Sequence, residues 1–213
     1  MRMRKILASA WISIAATAII PAVPAFAADP PVARDSGQAG TPLPSDTAKM
    51  LEQHRQALGD LYDRLAKAKT DDDATPIRAD IRQLWLQTGS PTIDLLLARD
   101  SEAALAHDES VRRQLLDAAS KLAPDTAEIW NRRAGLEFAS EHYEAAIADL
   151  GHVLALEPRH FDALEALAGV LKESGRKALA LRALRQLKEI NPMAANLQSE
   201  IDDLSRKVEG QKI

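Results

Sequence analysis

Apolar residues recur along this chain at intervals of three and four, the period of a helix with one buried face. Leu51, His54, Leu58, Leu61 and Leu65 form a heptad-like stripe in which His54 is the polar member. Ser45 or Asp46 can cap that helix. Ile77, Ile81, Leu84 and Trp85 line a second helix. Thr75 is its expected cap and Pro76 its expected first residue, with Asp71 to Asp73 placed where a helix dipole favours negative charge. Gly89 and Pro91 end it. Residues 46–89 therefore read as a helical hairpin. Ser90 and Pro91 open another helix in "SPTIDLLL". Little of the chain shows β-branched alternation, so the pattern predicts an all-α fold.

Beyond that point proline sets the organisation. Pro124, Pro158 and Pro192 stand 34 residues apart. Between them, small and large residues alternate in a fixed register. Trp130, Ala134, Tyr143, Ala146 and Leu150 in residues 127–160 are followed in 161–194 by Leu164, Leu167, Ala168, Ala180, Leu184 and Leu187. Two antiparallel helices approach closely only where both present small side chains. Ala134 against Ala146, and Ala168 against Ala180, are the expected contacts, with Trp130 as core beside them. Gly175 falls where a left-handed turn is needed between helices.

A 34-residue period of two helices resembles the tetratricopeptide repeat (TPR) family. Residues 93–126 have the same length and end in the same "LAPD", but Asp100 and Arg112 stand at the small positions, so 90–126 reads as a degenerate repeat. Over residues 47–194 the chain resembles signal-peptide-bearing alphaproteobacterial TPR proteins, through "LWLQTGSPTIDLLLAR" and "APDTAEIWNRRA". The resemblance implies a short right-handed superhelix of one degenerate and two clear repeats spanning 90–194 (90–126, 127–160 and 161–194). It also implies a groove, lined by first helices, that binds a protein or peptide segment. Glu128, Asn131, Gly135, Phe138, Asp162, Glu165, Gly169 and Lys172 are the residues it places in that groove. Asn131 offers donor and acceptor in one side chain, and Phe138 an apolar anchor. The Lys and Asn constellation that some relatives use to clamp a C-terminal carboxylate is missing. Met193, Leu197, Ile201, Leu204 and Val208 lie on one face, so residues 195–213 suit a last helix with a polar outer side.

The N-terminus changes the compartment. Arg2, Arg4 and Lys5 precede an uncharged run from Ile6 to Ala28, broken by Pro21 and Pro24 and followed through "AFA". That order is a signal peptide over 1–27, cleaved after Ala27, with a periplasmic or secreted product that keeps no membrane-inserted segment. Residues 28–45, rich in Pro, Gly, Ser and Asp, read as a disordered lead. The chain has no cysteine, which removes disulfides, thiol nucleophiles and Cys-based metal sites, and suits an oxidising compartment. Its net charge is −4, and residues 28–213 alone carry −7 because 1–27 carry +3. No basic patch with interleaved aromatics occurs, which argues against nucleic acid.

Chemistry is represented only by fragments. Ser174 and Lys177 match S-x-x-K, but on an expected turn and without companion motifs. Glu157 and His160 match Glu-x-x-His with a proline between them and no second copy. His107, His142 and His152 lack metal-ligand spacing. The expectation is a non-enzymatic binding module without catalytic residues, metal or cofactor. The alternative is an oligomeric scaffold in envelope assembly, joined through the 46–69 helix.

Overall fold

The computed structural model describes residues 45–210, with side chains from residue 49 onward. The expected signal peptide and nearly all of the expected lead lie outside the described residues. Nine helices and no strand occur among the described residues: α1 (Ser45–Ala66), α2 (Asp71–Trp85), α3 (Pro91–Leu105), α4 (Glu109–Leu122), α5 (Ala127–Ala139), α6 (Tyr143–Leu156), α7 (Phe161–Glu173), α8 (Lys177–Ile190) and α9 (Leu197–Glu209). The fold is all-α, as the periodicity implies.

From α3 onward each helix packs on the next. The 34-residue period is written into the backbone. His107, Glu141 and Gly175 all have positive φ, at 55°, 59° and 76°. The amide that follows each of them reaches back to close the same turn: Asp108 N–H to Ala103, His142 N–H to Glu137, and Arg176 N–H to Leu171. Glycine marks this left-handed position only in the last repeat. At the far ends, Ala123, Glu157 and Asn191 donate to Ala119, Val153 and Leu187 in the same register.

Side-chain packing follows that frame. Ala134, Ala146, Ala168 and Ala180 are buried, with Leu150, Leu164, Leu184 and Leu187 around them. In the first repeat the corresponding positions hold an ion pair instead. Asp100 is 1% exposed and accepts from Arg112 Nε at 2.9 Å, and Arg132 of α5 reaches the other oxygen at 3.1 Å. Arg132 also donates to the Leu97 carbonyl and to Ser101 Oγ. A close contact of two small residues thus becomes a longer contact bridged by charge. Ile93, Leu97, Leu116 and Ala119 form a core of their own with Ile129 and Leu136 of α5.

The hairpin α1–α2 does not stack on α3. It lies across the edge where the first helices begin and the second helices end. Leu58, Leu61, Tyr62, Leu65, Ile77 and Ile81 join the core of α6–α9, and α1 packs on α8. Most of the leucine stripe is therefore used inside the chain, and Leu51 is its exposed leucine. The start of α2 also differs from expectation. Thr70, not Thr75, is the cap: its Oγ1 accepts from Asp73 N–H at 3.1 Å, and Pro76 lies within the helix. Thr70 puts all three aspartates into the first turn, where the dipole favours them, at the cost of the bond that Pro76 cannot donate. Leu197, Ile201 and Leu204 bury the inner face of α9, leaving Val208 exposed.

Candidate functional site

The first helix of each repeat supplies one face of the array, and the groove residues named above fall into two groups. On α5, Glu128 is held within its own helix: it accepts from Arg132 Nε at 2.7 Å and from Asn131 Nδ2 at 3.3 Å. Asn131 therefore has its amide already turned toward Glu128. Phe138 is 39% exposed, with its ring tilted against Tyr143 at 6.0 Å. Gly135 lies between Asn131 and Phe138, and nothing comes within 4 Å of the place a Cβ would take.

On α7 the same repeat positions are more engaged. Arg82 of α2 grips Asp162 with two hydrogen bonds, at 2.8 and 2.7 Å, and its guanidinium lies 5.2 Å from the centre of the Phe161 ring. Lys172 donates to Glu200 of α9 at 2.7 Å. Glu165 and Gly169 line a cavity of about 220 Å³ with Lys172, Leu187, Leu197 and Glu200. Burial pushes the Glu165 carboxyl up, and the charge of Asp162 adds to that. Gly169, like Gly135 one repeat earlier, has open space above it. The array thus presents two bare stretches of helix backbone 34 residues apart. At one end Arg82 and Arg132 hold the flanking carboxylates. At the other stand Phe138 and the Lys172–Glu200 pair.

Sequence reasoning missed the part played by the hairpin. Trp85 stacks on His160 with ring centres 3.7 Å apart and an interplanar angle of 10°, touches Phe161, and donates to the Tyr62 hydroxyl at 3.2 Å. Arg159 lies over the Tyr62 ring at 4.5 Å and reaches Asp63. Arg78 reaches Asn191. A second cavity, about 360 Å³, opens between this hairpin and the starts of the first helices, lined in part by Met50, His54, Trp85, Glu128 and Leu156. The available signal was the "EPRHFD" segment itself, whose Arg159, His160, Phe161 and Asp162 all meet the hairpin.

His160 is fully buried. Its Nδ1 accepts the Ala163 N–H at 3.2 Å, which caps α7 and leaves the proton on Nε2. Nε2 has no hydrogen-bond partner among the described residues. Burial pushes the imidazole down to about 4. Trp130 is half-buried as a packing residue: it donates to the Pro124 carbonyl at 2.8 Å, stacks on His152 and carries Arg133 over its ring at 4.4 Å. Arg133 is paired with Asp149. Glu137 is pushed up by burial but held lower overall by hydrogen bonds from His142 and Arg113.

The chemical fragments resolve into structure. Ser174 Oγ donates to the Leu171 carbonyl at the end of α7, and Lys177 is exposed. Glu157 accepts from the Arg159 N–H. Among the described residues, no group of three or more His, Asp and Glu side chains is placed to hold a metal. No described helix is long and apolar enough to cross a membrane.

Comparison with known proteins gives a consistent picture. The family model described as "Tetratricopeptide repeat" matches residues 137–201. A TPR repeat-containing protein of Rhizobium etli is 34% identical over 181 residues, 81% of this chain and 89% of that protein. The first TPR of Spaghetti (RPAP3), solved bound to the HSP90 peptide SRMEEVD, superimposes with a TM-score of 0.53 at 13% identity, covering 56% of this chain and 98% of that one. The Sgt2 TPR domain from Aspergillus fumigatus gives 0.51 at 21% identity, covering 56% and 81%. At these identities the two structures support the fold.

Proposed function

The chain belongs to the tetratricopeptide repeat family, and from that premise we propose that it is a non-catalytic module that receives a protein segment along the first-helix face of α5 and α7. The TPR fold is one of protein–protein and peptide interaction. One observation carries the choice of face. Gly135 and Gly169 occupy the same repeat position and both leave open space above the helix backbone. An extended segment can lie close to the array there without displacing a side chain. Exposed Phe138 offers it an apolar contact. A TPR solved with a bound peptide supports the mode of use.

The proposal makes an unusual demand on a variant. Glycine within a helix costs about 1 kcal/mol relative to good helix formers. Gly135→Leu with Gly169→Leu should therefore leave the fold as stable or more stable, while filling the floor. A photo-crosslinking residue at Phe138, introduced in cells, should give a light-dependent adduct identifiable by mass spectrometry. The adduct should vanish in the double-leucine background. An unchanged adduct in that stable background refutes this face as the binding site.

We also propose that the module works outside the cytoplasm, supported by the signal-like order of residues 1–27 and the absence of cysteine. Fractionation should find a shortened product outside the cytoplasm, and a chain lacking residues 2–27 retained within it. Full-length protein confined to the cytoplasm refutes export.

A further inference from the structure

The cavity of about 220 Å³ beside Gly169 is built of two unlike parts. Leu184, Leu187 and Leu197 give it apolar walls, and Glu165, Lys172 and Glu200 supply charge. The charges do not balance. Lys172 donates to Glu200 at 2.7 Å. On the other side Arg82 is closed on Asp162 by two hydrogen bonds, and Arg78 is paired with Asp71. Asp162, Glu165 and Lys172 share one face of α7. Glu165 is exposed, and among the described residues no group donates a hydrogen bond to its carboxylate. Each neighbouring cation is thus held by another carboxylate, and one negative charge is left over. Burial, then the charges of Asp162 and Glu200, hold the Glu165 carboxyl above its ordinary range against the pull of Arg82.

We propose that the protein segment received by the α5–α7 face places a lysine or arginine side chain in this cavity, with its charged end at Glu165. The inference rests on that face being the binding surface, and it adds the chemistry of the partner. Apolar walls beside an uncompensated carboxylate match a side chain whose methylenes are apolar and whose tip is a cation. The volume is below the roughly 300 Å³ at which pockets take a whole small ligand, so it suits a single side chain. A leucine in the same place would fill the walls but strip water from a carboxylate that has no partner. An acidic side chain would meet like charge from Glu165. The Lys and Asn constellation that would favour a C-terminal carboxylate is missing, and the surplus charge here has the sign that repels one. Gly169 keeps the approach open, since nothing comes within 4 Å of the place its Cβ would take.

Random peptides displayed on phage, selected on the purified protein, supply the probe. Peptides that no longer bind Gly135→Leu define the binding face, because Gly135 lies on α5 outside the cavity. Those peptides should share a lysine or arginine at one position, and selection on Glu165→Lys should replace it with aspartate or glutamate. A synthetic peptide of the selected sequence should bind about fivefold more weakly when norleucine, which keeps the stem and drops the charge, replaces that lysine. Against Glu165→Gln the lysine and norleucine peptides should bind alike. Glu165→Gln should unfold at no lower temperature than the parent, since the side chain is exposed and its charge unpaired, which separates lost recognition from lost fold. Selected peptides that share no basic position, or a norleucine penalty that persists in Glu165→Gln, would overturn the cation site and leave the binding face standing. A selection that yields no peptide sensitive to Gly135→Leu would overturn both.

Discussion

Mild acid should destabilise this protein through His160, and the size of the effect follows from where the ring sits. The imidazole is fully buried, stacked on Trp85, with Nδ1 committed to the Ala163 amide. A proton on Nδ1 destroys that cap and puts a charge where water cannot reach it, so burial holds the folded-state value at about 4 against the ordinary 6.5. The sign is that of a depressed group. Above about 6.5 the ring is neutral in both states and contributes no pH dependence. As pH falls below that, the unfolded chain takes up a proton that the folded one refuses. Stability then drops until the pH has passed through about 4, where the folded state also protonates. The loss is about 2 kcal/mol between roughly pH 7.5 and pH 5, with a ceiling of about 3 kcal/mol. Carboxylates such as Glu137, held low by its partners, lose stability in the same direction, so the wild-type curve alone is not diagnostic. The comparison that isolates the ring is His160→Asn. Asparagine caps helices well and cannot titrate. Urea unfolding followed by far-ultraviolet circular dichroism should show the variant less stable at neutral pH, having lost the stacking on Trp85. Its midpoint should nonetheless fall less on acidification, by about 1 M urea for an m-value near 2 kcal/mol/M. Parallel curves for the two proteins, within about 0.5 kcal/mol at every pH, would refute the assignment of a buried neutral histidine.

Two further substitutions test the repeat geometry. Glu141 holds a left-handed backbone at φ 59°, which glycine adopts without strain, so Glu141→Gly should stabilise the protein by about 0.5–1 kcal/mol in thermal unfolding. The same change at neighbouring Ser140, which lacks that conformation, should destabilise it. Asp100→Ala removes the partner of two largely buried arginines and should cost about 3 kcal/mol, whereas adding Arg112→Ala to it should recover part of that loss. Additive losses in this cycle would show that the bridge at the first repeat's small positions is not an interaction in its own right.

What the sequence made legible was what repeats. Helix number, the 34-residue period and the alanine contacts at 134, 146, 168 and 180 follow from spacing alone, because each serves packing between neighbours. The recurrent left-handed turn was visible only at Gly175, since Glu141 and His107 accept the strain with side chains that carry no such signal. Asp100 and Arg112 looked like a broken code because each was read singly, and they make sense only as a pair with Arg132. The placement of α1–α2 was not legible. Local periodicity says that a helix has an apolar face, and not which distant surface will cover it. For the same reason Asp162 and Lys172 looked free for a ligand, while the fold engages them with Arg82 and Glu200. Gly135 and Phe138 are exposed, whereas Asn131 is half-buried with its amide on Glu128.

The clasp of the hairpin on the far repeats also counts. An open solenoid tolerates gain or loss of a repeat, because each unit meets only its neighbours. Here Arg82 meets Asp162 and Arg78 meets Asn191, so one short helix spans both ends of a single repeat. A unit duplicated within residues 161–190 would carry Asn191 about a repeat's width away from Arg78. A unit duplicated among residues 91–156 would stretch the connection from α2 to α5 without disturbing the clasp. Natural variation in array length should therefore concentrate before residue 157, with the clasped repeat serving as a fixed gauge.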